Sequence, residues 1–320
     1  MTYNVQAIQI MDEVNKVVVG KRAIIGKVLT AILAKGHILL EDHPGVGKTT
    51  LALAFSKAMA LEHHRLQFTP DVLPTDVVGF HLLNKDGEGY QYKPGAIMCN
   101  LFLADEINRT SSKTQSALLE VMEEGKVTVD SVTREVPKPF VVMATQNPIG
   151  SIGTQMLPES QLDRFMVRLT MGYPDIKSEI GILKERHNSN PLDKVVRIVE
   201  KEDLMAMQGL VEEVFIHDSI YEYITLLVQQ TRENPLVELG VSPRGSLALM
   251  NMVKATAFLN SRDYVLPTDV SLVFKDVCSH RMILKPKARV NNVTVDNLLD
   301  DIMRIVKAPR IISKEVYANV

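Results

Sequence analysis

The stretch LLEDHPGVGKTT, residues 39–50, decides the fold of this chain. Its residues 47–49, GKT, match the end of the phosphate-binding pattern G-x-x-x-x-G-K-[ST]. The pattern requires a glycine at position 42, where this chain has Asp42. Because position 42 lies at the entry to the loop, outside the amides that would surround a phosphate, we expect an aspartate to be tolerated there if its side chain turns away from the phosphate.

The residues on either side of this loop supply the strand and the helix that a phosphate loop needs. HILLED (37–42) is a short apolar run that predicts a buried strand, and KTTLALAFSKAMAL (48–61) has a helical pattern. The two glycines of PGVG let the main chain approach an anion, and the start of the helix favours negative charge. We therefore expect Lys48 to reach the β- and γ-phosphates of a nucleotide and the Thr49 hydroxyl to coordinate Mg²⁺. The loop residues expected to contact the nucleotide are Pro44, Gly45, Val46, Gly47, Lys48, Thr49 and Thr50.

Two further apolar runs end in polar residues of the kind that nucleotide hydrolysis uses. LFLADE (101–106) ends in Asp105, which can hold Mg²⁺, and in Glu106, which can accept a proton from an attacking water. MATQNP brings Asn147 to the end of another strand, where its amide could hold the γ-phosphate or orient the water. Asn-Pro is also an ordinary turn signal, so this residue alone does not distinguish the two interpretations.

Hydrolysis also needs positive charge near the developing transition state. Arg164 in QLDRF, Arg244 in SPRGS and Arg109 in DEINRT are the candidates, although each could equally be a surface charge. No Asn-Lys-x-Asp motif for reading guanine follows a late strand, so ATP is favoured over GTP.

The composition is that of an ordinary globular protein. Of 320 residues, 46% are hydrophobic and 23% charged, and the net charge of −2 gives no general attraction to nucleic acid or to anionic membranes. Cys99 and Cys278 match neither a metal site nor a disulfide framework, and we expect Cys99 to be a buried thiol. The N-terminus lacks the features of a signal peptide, and no apolar run approaches the 18 residues of a membrane span. We expect a cytoplasmic protein.

The pattern of strands and helices divides the chain into two predicted domains. Residues 1–175 alternate near-continuous apolar strands with helical patterns, which predicts an α/β domain with a mostly parallel sheet covered on both faces. Segments at about 80–95 and 126–136 are typical of hairpins inserted into this domain. Residues 176–320 predict an all-α domain. Its amphipathic segments are 203–215, 219–234, 242–260, 266–284 and 293–306.

As a set, these residues resemble the MoxR family of AAA+ ATPases, and the resemblance covers nearly the whole chain. It implies a P-loop AAA+ core, a helical lid, and ATP and Mg²⁺ as ligands, and an aspartate at the first loop position is compatible with this family. The segments that carry the resemblance are VVVGKRAII, LLEDHPGVGKTTLA, RLQFTPDVLPTDVVG, FLADEINRTSSKTQSALLEVMEEGKVTVD, VMATQNP, LPESQLDRFMVRL and SPRGSLAL.

The resemblance also implies a role for the residues at the strand ends. Lys48 and Thr49 match the Walker A positions, whereas Asp105 and Glu106 match the Walker B positions. Asn147 matches the residue called sensor 1. ATP and Mg²⁺ are then expected between the α/β domain and the lid.

Further roles concern neighbouring subunits and partners. Arg164 matches the arginine finger that acts on the neighbouring subunit's ATP, and Arg244 matches sensor 2 of the lid. Val19 and Gly20 match the segment that lines the adenine pocket. Similar proteins form rings, usually hexamers, with both hairpins facing the pore. They act as chaperone-like remodellers of protein clients, often with a von Willebrand factor A-like domain.

Three kinds of alternative remain open, namely a motor with another substrate, a scaffold without turnover and an interaction protein. A magnesium-chelatase-like motor has similar motifs, and a DNA-acting AAA+ motor is disfavoured because the 80–95 hairpin mixes Lys85 and Lys93 with Asp86 and Glu88. A nucleotide-gated scaffold without turnover would keep the loop but not need Glu106. A helical interaction protein with a vestigial loop would need none of the site residues.

Overall fold

The computed structural model describes residues 2–84, 89–147, 157–188 and 190–310. Its helices are α1 Tyr3–Val17, α2 Arg22–Leu33, α3 Lys48–Ala58, α4 Pro74–Val78, α5 Ser112–Glu124, α6 Glu159–Leu162, α7 Ile176–Asn188, α8 Lys201–Glu213, α9 Asp218–Glu233, α10 Pro243–Leu259, α11 Pro267–Cys278, α12 Pro286–Val290 and α13 Val295–Ile305. Its strands are β1 Ile38–Glu41, β2 His63–Gln67, β3 Gly79–Leu83, β4 Tyr90–Pro94, β5 Leu101–Asp105, β6 Lys126–Val129, β7 Val132–Glu135, β8 Val141–Gln146, β9 Val167–Leu169, β10 Val237–Leu239 and β11 Ile283–Leu284.

Five strands form one parallel sheet in the order β2-β5-β8-β1-β9. This confirms the predicted parallel α/β core. Side chains alternate between the two faces of each strand, so that Leu103 and Met143 join one hydrophobic core while Phe102 and Val142 join another. Because helices cover both faces, every residue of β5 and β8 is buried, which explains why these strands are near-continuous apolar runs.

Both predicted hairpins are present. β3 pairs with β4, with Leu82 opposite Gln91, and β6 pairs with β7, with Thr128 opposite Thr133. Residues 85–88 of the first hairpin, including the Lys85, Asp86 and Glu88 that were weighed for nucleic-acid binding, lie outside the described residues.

The predicted helices of the second half correspond to α8 to α11 and α13. They pack on the sheet face that also carries α1 to α3, and a single apolar core contains residues of both halves. A buried ion pair spans this junction, because Arg281 donates to the Asp163 carboxylate at 2.7 Å and to the Phe165 carbonyl at 2.6 Å. Since the core is continuous across residue 175, the predicted division into two domains stays a prediction. In the described parts of the chain, no helix has the length and apolar character needed to cross a bilayer.

Candidate active site

The carboxyl ends of three adjacent strands carry most of the predicted site residues. β5, β8 and β1 are parallel neighbours, with Ala104 opposite Ala144 and Glu41 opposite Gln146. The residues that follow these strands therefore share one edge of the sheet, where ligands bind in folds of this kind. The structure thus brings the loop residues Pro44, Gly45, Val46, Gly47, Lys48, Thr49 and Thr50 to the same edge as Asp105, Glu106 and Asn147.

The loop between β1 and α3 has the backbone that close contact with an anion requires. Gly45 and Gly47 have φ angles of +85° and +99°, in the left-handed region that glycine adopts readily. Lys48 is the first residue of α3, so the amides of the first turn have no partner within the helix and lie at its positive end. Both features suit the loop to phosphate groups.

Lys48 is largely buried beside the loop that follows β1. Its ammonium donates to the carbonyl oxygens of Asp42 at 2.6 Å and of His43 at 3.1 Å. Burial lowers the pKa of Lys48, and the negative charges of Asp42, Asp105 and Glu106 partly offset that effect. The ammonium is therefore held beside the loop carbonyls, where a phosphate oxygen could replace these partners.

Asp105 is held by two side chains from neighbouring strands. Its Oδ1 accepts a hydrogen bond from the Thr145 hydroxyl at 2.6 Å, and its Oδ2 accepts one from Arg65 Nη2 at 2.6 Å. Thr145 also accepts the amide N–H of Glu106 at 2.8 Å. This hydroxyl therefore connects β8 to both acids and fixes where β5 ends.

Glu106 has a backbone conformation that is rare outside glycine, with φ of +57°. Such conformations concentrate at functional sites. Its carboxylate accepts hydrogen bonds from Arg109 Nη1 at 2.7 Å and from Asn147 Nδ2 at 3.1 Å. Partial burial raises the pKa of Glu106, but the bonds from Arg109 and Asn147 and the charge of Arg109 outweigh it, so the net pKa is lowered. Glu106 is therefore a carboxylate at neutral pH and able to accept a proton.

A cavity of about 340 Å³ opens beside the phosphate loop. This volume is within the range of about 300–1,000 Å³ that small-molecule sites occupy. One wall is the loop, a second is the turn between α1 and α2, and a third comes from the start of α7 and the residues before it. The lining residues include Val19, Lys21, Tyr173, Pro174, Ile182 and Leu183, with Pro44 to Gly47 and Thr50 from the loop.

The turn that contains Val19 and Gly20 is packed directly against α7. Gly20 has φ of +76°, and a methyl group built on it would overlap the Ser178 hydroxyl. Val19 lines the cavity, whereas Gly20 allows α7 to approach. Both residues therefore lie where the turn between α1 and α2 meets the cavity and the first helix of the predicted lid.

Arg164 and Arg244 do not line the cavity beside the phosphate loop. Both pair with Glu123, Arg164 at 2.6 Å, and Arg164 also donates to the Leu119 carbonyl at 2.7 Å. Helix α5 follows β5 at the site edge and is about 20 Å long, so Glu123 lies near its far end. The neighbouring Met122 carbonyl contacts His37, which precedes β1. Both arginines are therefore at the opposite edge of the sheet from the phosphate loop of their own chain.

The cavity lies between the α/β core and the first helix of the predicted lid, since α7 forms one of its walls. Arg244 is not among the residues that line this cavity. It belongs to α10, which begins beside Asp163, whose carboxylate accepts the hydroxyl hydrogen of the N-cap residue Ser242 at 2.8 Å.

Several residues of the site were not identified from the sequence. Thr145 and Arg65 contact Asp105, while Tyr173 and Leu183 line the cavity. The sequence contains no local signal for them, because they belong to strands and helices that only folding brings to the loop. For Thr145 alone, its place two residues before Asn147 on an apolar strand could have suggested a contact with β5.

Comparisons with known proteins agree with this geometry. Residues 37–167 match the model of the ATPase family associated with various cellular activities (AAA), and residues 229–302 match the AAA lid domain. The uncharacterized protein YeaC of Bacillus subtilis is 49% identical over 93% of each chain. Chaperone MoxR1 of Mycobacterium tuberculosis is 36% identical over 93% of this chain and 81% of its own.

A solved structure shows the same overall fold. The crystal structure of a candidate ATPase from Cytophaga hutchinsonii superposes with a TM-score of 0.90 at 38% identity, covering 96% of each chain. Similarity of this extent covers the parallel sheet, the loop and the helical region together. The chain therefore belongs to the MoxR family of AAA+ ATPases.

Proposed function

We propose that this protein hydrolyses ATP at the edge of the sheet formed by β5, β8 and β1. The observation that supports this most directly is the convergence of Lys48, Asp105, Glu106 and Asn147 beside a cavity of about 340 Å³. The phosphates would lie on the loop and the base between Val19 and α7. Lys48 would bind the β- and γ-phosphates, Glu106 would accept the proton of the attacking water, and Asn147 would orient that water or the γ-phosphate.

Thr49 and Asp105 fit a magnesium ion bound between protein and phosphates. Both present oxygen atoms, and Mg²⁺ at nucleotide phosphates commonly takes only one or two protein ligands. Within the described ranges, no group of three or more His, Cys, Asp or Glu could hold a metal by itself, in keeping with an ion shared with the nucleotide. When bound, Mg²⁺ neutralises charge on the phosphates. Arg65 holds Asp105 Oδ2, so direct coordination at that oxygen requires this arginine to move.

We further propose that Arg164 and Arg244 complete the site of a neighbouring subunit. Both lie at the sheet edge opposite their own loop, they share the half-exposed Glu123, and they border a cavity of about 100 Å³. A repeated head-to-tail contact that joins these two edges generates a ring if the rotation closes. We propose a hexamer, as is usual for proteins of this kind.

A subunit-mixing experiment tests both proposals. Lys48→Ala should abolish ATP binding, and Arg164→Ala should leave binding intact but abolish turnover. In an equal mixture, about a quarter of the interfaces in a ring would join an intact loop to an intact Arg164, so ATPase activity should return to about a quarter of the wild-type value.

The matched control mixes Lys48→Ala with Glu106→Gln. Both changes affect the same side of each interface, so every interface lacks one of the two residues and no activity should return. Restoration in the control, or none in the first mixture, would contradict an arginine that acts between subunits. Wild-type protein that binds ATP without releasing phosphate over a wide concentration range would instead favour the nucleotide-gated scaffold.

We also propose that hydrolysis drives chaperone-like remodelling of a protein client that carries a von Willebrand factor A-like domain. The two hairpins form one unit, since His81 Nδ1 and Asp130 Oδ2 are 2.6 Å apart and the Arg134 guanidinium lies 3.9 Å from the centre of the Tyr92 ring. Leu83 and Tyr90 are exposed on this unit. Leu83→Asp should retain basal ATPase activity and lose its stimulation by such a partner. Equal stimulation of the variant and the wild type would exclude this surface.

A further inference from the structure

Asp42, the residue that departs from the phosphate-loop pattern, is buried and surrounded by amide donors. Its side chain is only 4% exposed. Its Oδ2 accepts the amide hydrogens of Met171 at 2.5 Å and Gly172 at 2.7 Å, and its Oδ1 accepts that of His43 at 3.1 Å. The carboxylate is thus directed at the segment after β9 rather than at the phosphate position.

The same segment is held from the other side by Lys21. The Lys21 ammonium donates to the carbonyl oxygens of Met171 at 2.5 Å and Tyr173 at 2.8 Å. In residues 171–173, which we call the clamped segment, the Asp42 carboxylate therefore binds two amides and the Lys21 ammonium binds two carbonyls. Hydrogen bonds to charged groups are stronger than those between neutral groups, so this segment is well fixed.

The clamped segment leads directly into the wall of the cavity that faces the base. Tyr173 and Pro174 line the cavity, and α7 begins two residues later and contributes Ile182 and Leu183. Asp42 also belongs to the phosphate loop itself, since its carbonyl accepts a hydrogen bond from Lys48 at 2.6 Å. One residue thus contacts the phosphate-binding lysine through its main chain and the base-facing wall through its side chain.

We propose that Asp42 and Lys21 are positioning residues that hold the base-facing wall at the correct distance from the phosphate loop. The inference rests on the proposed function, because it concerns the same nucleotide cavity. A glycine at position 42 could not accept the hydrogen bonds from the clamped segment, which accounts for an aspartate in place of the glycine of the usual pattern. The clamp should matter for a ligand that has both a base and phosphates, and not for phosphates alone.

Binding of two probes distinguishes this role from general support of the loop. ATP contacts both walls, whereas inorganic tripolyphosphate contacts only the loop. Asp42→Asn keeps the size of the side chain but loses its charge, and should weaken ATP binding about tenfold while leaving the Kd for tripolyphosphate unchanged. Lys21→Met should show the same selective loss. Because both residues act on one segment, their effects should not add. The double variant should bind ATP only slightly more weakly than the single variant that has the lower affinity.

Lys27→Met is the matched control for Lys21→Met. Lys27 also belongs to the α2 region and is half-buried in an ion pair with Asp276 at 2.7 Å, but it does not line the nucleotide cavity. The Lys27→Met variant should bind both probes with the same affinity as the wild type. Calorimetric titration with each probe, after far-ultraviolet circular dichroism has confirmed folding, gives the required constants.

Equal weakening of ATP and tripolyphosphate in Asp42→Asn would overturn the inference, since it would show that Asp42 only supports the loop. Unchanged ATP binding in Lys21→Met would also overturn it, even if Asp42→Asn failed to fold. Wild-type protein that binds tripolyphosphate but not ATP would refute the proposed function, whereas wild-type protein that binds ATP with insensitive variants would refute only the clamp.

Discussion

Mild acid should destabilise this protein through His37, which is buried at the start of β1. Its Nε2 lies 2.9 Å from the Met122 carbonyl, and its Nδ1 accepts the amide hydrogen of Val142 at 3.0 Å. Both bonds are satisfied by one neutral tautomer. Burial lowers the pKa of His37 from 6.5 to about 4, although the bond to Met122 acts in the opposite direction.

The sign and size of the effect follow from this difference in pKa. Above pH 6.5 His37 is neutral in the folded and the unfolded chain, and the free energy of unfolding has its full value. As the pH falls toward 4, the unfolded chain binds a proton that the folded chain does not, so the free energy of unfolding decreases. At about 1.4 kcal/mol per pH unit, His37 should lower the free energy of unfolding by about 2 kcal/mol at pH 5 and about 3 kcal/mol at pH 4.

The assay is urea unfolding of wild type and His37→Gln at pH 7.5 and pH 5. Glutamine does not titrate, so the stability advantage of the wild type should shrink by about 2 kcal/mol between these two values. Other groups, including the buried His280, contribute equally to both proteins and cancel in the difference. An advantage that stays constant from pH 7.5 to pH 5 would refute the reasoning.

Three further outcomes are expected. Glu106→Gln should bind ATP with near wild-type affinity but lower kcat by about 10²–10⁴, which single-turnover phosphate release would measure; full turnover would show that another group is the base. Phe102→Ala should lower the free energy of unfolding by about 3–5 kcal/mol in urea titrations, because Phe102 is fully buried and packs edge-on against Phe68 in the same core, with ring centroids 6.5 Å apart. A loss below about 1 kcal/mol would show that the core collapses around the gap. Cys99 and Cys278 should not react with a thiol reagent in the native protein, because burial raises the pKa of each thiol to about 12; rapid native labelling would contradict their burial.

The sequence was sufficient for the fold class because its signals are local. A fully buried parallel strand appears as a short apolar run, and the hairpin at Lys126–Glu135 appears as alternating polar and apolar residues around a turn. The sequence patterns did not predict helices α1 and α2. In α2, seven of the 12 residues are buried, so much of it is a short apolar run, which does not by itself distinguish a helix from a strand.

The residues of the candidate site could also be predicted largely from local sequence patterns. Lys48 and Thr49 follow a glycine loop between a strand and a helix, and Asp105 and Asn147 end apolar strands. Because parallel strands align their carboxyl ends, these separate motifs predict a common edge without any knowledge of the side-chain contacts. Residue types and strand ends were therefore enough to predict a nucleotide site and the class of protein.

Only the tertiary structure decided what surrounds that chemistry. Asp42 meets the amides of residues 171 and 172, and Arg164 and Arg244 meet at Glu123 on the opposite edge of the sheet. No local pattern specifies such contacts, because they join residues separated by 40 to 130 positions and depend on how α5, α7 and α10 pack on the sheet. The sequence by itself determined which residue types lie at the strand ends, whereas packing decided which of them share one edge of the sheet.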